Sequence, residues 1–151
     1  MLIEQEVESK IVIALAALNT GATIRGCRQG SPVEAVDNGQ TIVVRTGIRQ
    51  HDDFSLPTVN ISGTIQLFTR AEMDADGDSH ETALNALLTL LDGWHRDGAA
   101  MSSVLSTTAF FAAELRLEGG GGKDYDDDRA AWVEDFNFTI RGTVLESATN
   151  N

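Results

Sequence analysis

The chain has 151 residues, 42% hydrophobic and 23% charged, a balance that suits one folded domain with a single core and excludes a disordered segment. Against 23 acidic residues stand 11 basic ones, and the resulting net charge of −12 repels phosphates and argues against a groove that grips nucleic acid. The single cysteine, Cys27, excludes an internal disulfide, and the longest apolar run, IVIALAAL at 11–18, is too short to span a bilayer.

Residues 1–18 predict an amphipathic helix, because Ile3, Val7, Ile11, Leu15 and Leu18 recur at helical spacing. Glu6 precedes Lys10 by one turn in the favourable order. Glutamates also occupy the place where a secretory signal would be positive, so export by that route is not expected. Asn19-Thr20-Gly21 offers a helix stop, and residues 21–37, broken by Gly26, Gly30 and Pro32, read as irregular. Asn38-Gly39 between VEAV and TIVV is a hairpin signal that makes 41–49 a strand. A loop at 50–57 (QHDDFSLP) follows.

Thr58–Arg70 alternates cleanly as a strand, with Val59, Ile61, Ile65 and Leu67 on one side and Asn60, Ser62, Thr64, Gln66 and Arg70 on the other. A second helix carries Leu84, Leu87, Leu88, Leu91 and Trp94 as its buried stripe and ends at Gly98. Residues 104–117 predict a strand whose core side holds Ala109, Phe111, Ala113, Leu115 and Leu117. Its partner is 132–145, with Trp132, Phe136, Phe138, Ile140 and Val144 aligned, reached through the mobile connection EGGGGKDYDDDRA. The expected fold is therefore a single α+β domain spanning 1–151. It is a mainly antiparallel sheet of about four strands carrying two helices, with a long β-hairpin near the C-terminus.

The acids Glu72, Asp74 and Asp76 before Gly77 look like a calcium loop. A register starting at Glu72 puts Ala83 where the bidentate Glu belongs, and one starting at Asp74 puts Asn85 there. Capping explains these residues better: Asp78 or Ser79 can cap the second helix, with Glu81 completing a box from Asp78. GGGGK at 119–123 fails as a phosphate loop, since Leu117 stands where its first glycine belongs and Asp124 replaces the Ser or Thr. Asp124, Asp126, Asp127 and Asp128 would repel a triphosphate. His51, His80 and His95 lack zinc spacing, and His95 reads as a helix-end residue at the dipole. No nucleophile elbow or tuned carboxylate pair is present, so neither catalysis, a cofactor nor a metal is expected. Phe110 and Ala112 on one strand, and Phe68 on another, fall on the face away from the core, where the first helix or a second subunit would cover them.

The element order resembles that of the tail terminator, or tail-completion, proteins of long-tailed bacteriophages. The resemblance rests on the helix IEQEVESKIVIALAAL, the strand TVNISGTIQLFTR, the helix ETALNALLTLLDGW and the hairpin LRLEGGGGKDYDDDRAAWVEDFNFTIRG, and it spans nearly the whole chain. It implies a homo-oligomer, a hexameric ring, at the tail–neck junction of the virion, made in the host cytoplasm and contacting the tail tube protein and the head connector or stopper. DNA would pass through without specific binding, along acids drawn from Asp74, Asp76 and Asp78 or from Asp124, Asp126, Asp127 and Asp128. Phe68, Phe110 and Ala112 are then candidates for the subunit interface. Alternatives are another neck or stopper protein, a calcium- or ligand-binding module using residues 72–78, and a small enzyme of unrecognised type.

Overall fold

The computed structural model describes residues 2–26, 39–51, 57–74, 77–120 and 122–145. Helix α1 (Ile3–Ala16) buries Ile3, Val7, Ile11 and Leu15, and the chain leaves it through left-handed Asn19 and Gly21. There follow β1 (Thr23–Gly26), β2 (Gln40–Thr46), β3 (Gln50–His51) and β4 (Thr58–Arg70). After one 3₁₀ turn at Ala71–Met73 come α2 (Asp78–Arg96), α3 (Gly98–Leu105), β5 (Phe110–Gly120), β6 (Asp124–Asp126) and β7 (Ala131–Val144).

The class is α+β, but the expected four antiparallel strands and two helices are corrected. Among the described residues there are three helices and a seven-stranded mixed sheet of order β1-β2-β4-β7-β5, with β3 added to β4 and β6 to β7. The β1–β2 pair is parallel, formed where irregular chain was expected, and β2 is thus paired on both sides. The hairpin segment VEAV lies outside the described residues. The third helix lies between the expected end of the second helix at Gly98 and the strand expected at 104–117, overlapping its first two residues: Asp97 accepts a hydrogen bond from the Ala100 amide (3.2 Å), and Met101 and Leu105 then face the core one turn apart.

The core lies between the helices and one face of the sheet. Strand β4 follows the predicted alternation, with Val59, Ile61, Ile65 and Leu67 fully buried. Strand β5 does not. A register shift between Ala112 and Glu114 inserts one extra residue, so Phe110 and Ala112 point into the core before it and Leu115 after it. Phe111, expected inside, is 49% exposed. Phe110 and Ala112, expected on an interface, have no exposed surface.

Two glycines let aromatic rings lie flat on the sheet. Gly63 pairs with Phe138, whose ring, with the Arg45 carbonyl, fills the space a Cβ would need. At Gly142 the Phe110 ring and the Phe111 carbonyl do the same. We expect Gly63→Ala and Gly142→Ala each to lower stability by about 2–4 kcal/mol through overpacking. Gly93→Ala, in an exposed and open part of α2, should instead raise it by about 0.5–1 kcal/mol. Urea unfolding of the three variants measures the contrast.

Candidate functional site

The C-terminal end of β4 and the start of β7 are joined, Arg70 pairing with Ala131 and the Ala71 amide donating to the Ala130 carbonyl at 3.0 Å. This brings together two acidic segments far apart in sequence. At the turn after β6, Asp126 accepts hydrogen bonds from the Asp128 amide (3.0 Å) and from the backbone and guanidinium of Arg129 (3.2 and 2.7 Å). The Arg129 hydrogen bond, above all, holds the Asp126 carboxyl below the usual carboxylate range. Asp126 therefore shapes the turn, while Asp124, Asp127 and Asp128 present exposed carboxylates. With Asp135 these four line one concavity of about 540 Å³. The nearby cations are engaged: Arg129 also lies 5.5 Å over the Phe68 ring, Lys123 lies 4.7 Å over Trp132, and Arg70 approaches Glu72.

The other predicted acids separate. Asp78 is exposed in the first turn of α2. Asp74 is buried, and one of its carboxylate oxygens accepts from the amides of Ser79 (2.9 Å) and His80 (3.1 Å), which makes it the cap of α2 in place of Asp78 or Ser79. Gly77, at φ +78°, folds the chain back far enough for this. Asp76 lies outside the described residues. Among the described residues no three His, Cys, Asp or Glu side chains come together to hold a metal.

The expected apolar second face is also corrected. Thr64 donates to Asn137 (3.0 Å), Gln66 to Asp135 (3.3 Å), and Ser62 and Thr139 share a hydrogen bond (3.3 Å). This is a solvated polar face. Phe68, the predicted interface residue on that side, is buried with Val43, Ala131 and Val133 under the chain's own Arg129.

Sequence reasoning missed a buried polar line. His80 meets Thr69 Oγ1 through Nδ1 (2.7 Å) and Glu134 through Nε2 (3.0 Å), while Gln40 donates to Thr69 (3.2 Å). With the ring proton on Nε2, every partner is satisfied. A hydroxyl, an imidazole and a carboxylate in that order can perform nucleophilic catalysis. Here Thr69 and His80 have no exposed surface, so no substrate reaches the oxygen. The line ties the start of α2 to β4 and β7.

Two glutamates of α1 are buried as well. Glu8 accepts from the Thr46 amide (3.3 Å) and hydroxyl (3.0 Å). Glu4 accepts from the Arg49 amide (2.9 Å), Nε (3.2 Å) and Nη2 (2.8 Å). Their signal in the sequence was position: each follows a core residue, Ile3 or Val7, by one.

Burial alone would raise the Glu4 carboxyl, but the Arg49 hydrogen bonds outweigh it and hold the group below its ordinary value of roughly 4.3. A carboxylate depressed in the folded state stabilises above its unfolded value, and that stabilisation is lost as pH falls through the folded value. At neutral pH the parent should therefore exceed Glu4→Gln by about 1–2 kcal/mol. The gap should shrink steadily below about pH 4.3. Unfolding of both proteins across pH 2–7 measures it.

Compared with known proteins, the chain matches no family model and no curated protein.

Proposed function

We propose that this chain is a non-enzymatic virion structural protein, a ring-forming tail terminator that joins a phage tail tube to the head connector. The observation that carries this reading is the acidic end of the sheet. There Asp124 on β6, and Asp127 and Asp128 on the turn after it, are exposed, the turn being braced by Asp126 and Arg129, with Asp78 and Glu72 on the segment that follows β4. Turned toward the lumen of a ring, such an end keeps duplex DNA from adhering while it slides. The likeness in element order to tail terminators, and the net charge of −12, support the same assignment. Ring closure requires a heterologous contact, one surface of each subunit meeting a different surface of the next. A hexamer is the closure that the likeness implies.

Light scattering and negative-stain microscopy of the purified chain, alone and with its tube protein, should give closed rings of uniform mass. Duplex DNA should bind more weakly than about 10⁻⁴ M at physiological salt, the weak limit for non-specific binders. Replacing Asp124, Asp127 and Asp128 with Asn should raise DNA retention without changing ring mass. A particle that stays monomeric in both preparations, or that holds duplex tightly at ordinary salt, overturns the proposal.

A further inference from the structure

The helical layer contains long stretches without charge. Residues 12–18, 83–91 and 98–105 contain no ionisable side chain, in a chain that is 23% charged. Depletion of charge, rather than apolarity as such, marks the centre of protein interfaces. Between the helices lies a groove of about 440 Å³ walled by Leu18, Leu90, Trp94 and Val104. Ile13 stands 70% exposed beside it. Its one charged residue is Lys10, which has no ion pair or hydrogen bond among the described residues.

Two other surfaces are less suited to joining copies. The second face of the sheet is a solvated ladder of polar pairs. The outer edge of β5 is blocked where the Ala112 amide donates to Ser106 Oγ (3.0 Å) and the Leu117 amide to His95 Nδ1 (3.0 Å). Two molecules of net charge −12 also repel wherever acid-bearing surfaces meet. The groove brings no carboxylate to such a meeting and offers an unmatched ammonium. A second copy supplies carboxylates in plenty.

We propose that a second copy of this chain docks on the groove, an apolar side chain filling it and a carboxylate meeting Lys10. This deepens the ring reading and rests on its premise that the chain self-associates. The test uses the full chain with Ile13→Glu, Val104→Glu and Lys10→Glu, and with Ile48→Glu as control, Ile48 being 77% exposed outside the groove. Ile13→Ser stands in should a glutamate variant melt early.

Sedimentation should show self-association weakened roughly tenfold or more by the first two substitutions. Lys10→Glu should weaken it most at low salt, and Ile48→Glu should leave it unchanged. Groove variants that melt normally and still form rings of parental mass overturn the groove and leave the ring reading standing. A parent that forms only dimers, lost in the groove variants, supports the groove and removes the ring. A parent that is monomeric at every concentration overturns both.

Discussion

The antiparallel pairing of β4 with β7 runs unbroken from Thr58 opposite Thr143 to Arg70 opposite Ala131, and nearly everything else in the molecule is placed by it. Side chains alternate with a period of two, so a slip of one residue would expose Val59, Ile61, Ile65 and Leu67 and bury Asn60, Thr64 and Gln66. Two contacts make that slip costly. Gly63 must lie opposite Phe138, because no other core-facing residue of β4 leaves space for the ring. Thr69 and Glu134 must lie near enough to share His80. A hydrophobic pattern alone tolerates near-equivalent registers; a glycine under an aromatic ring and a buried polar line do not.

The same pairing explains why the polar groups of the helical layer fall at its margins. Helices α1, α2 and α3 all cover one face, and several of the buried acids near them find partners at strand ends and loops. Glu4 reaches Arg49 just beyond β2, Glu8 reaches Thr46 at its last residue, and Asp74 closes α2 from the turn after β4. Each is an acid aimed at donors the fold cannot otherwise satisfy, the orphan amides of a helix start or of a strand leaving the sheet. Part of the acid surplus is therefore structural. Glu4, Glu8, Asp74 and Asp126 are committed to hydrogen bonds, and the outward charge is carried by the others.

How far the fold could be read from the chain depends on how local its determinants are. The bounds of β4 and the buried stripes of α1 and α2 follow from periodicity, which is a property of neighbouring residues. Strand β5 misled for an equally local reason: FFAAELRL alternates convincingly in either phase, and only the extra residue near Ala113 selects Phe110 over Phe111 for the core. A bulge leaves no mark in composition when the residue it adds is alanine. Helix α3 was hidden because GAAMSSVL is short and small, and its cap, Asp97, was absorbed into the end of α2. The parallel β1–β2 pair needed a long-range partner that TIRG does not announce. At the candidate site the hairpin-tip acids were legible as a cluster. The placing of Glu72 beside the turn that precedes β7, and the burial of Asp74 away from it, needed the β4–β7 register.

Clustering matters because electrostatic repulsion in salt water is short-ranged. At physiological ionic strength exposed charges are screened over roughly 8 Å, so twelve surplus carboxylates spread over the body would hardly be felt by a duplex passing one side of it. Carboxylates that line one concavity, as Asp124, Asp126, Asp127, Asp128 and Asp135 do, act together more strongly than the same charges spread out. Rigidity adds to the effect. A free acidic tail could be swept aside or drawn to a basic partner, whereas the tip is stiffened at its base by the Asp126–Arg129 hydrogen bonds and by Tyr125 against Trp132 at 5.0 Å. Symmetry would multiply the arrangement, since every copy in a ring presents the same end at the same radius. On the proposed ring reading, a surface facing a polyanion needs its charge concentrated at the point of approach, and Asp124, Asp127 and Asp128 supply that concentration at one end of β7.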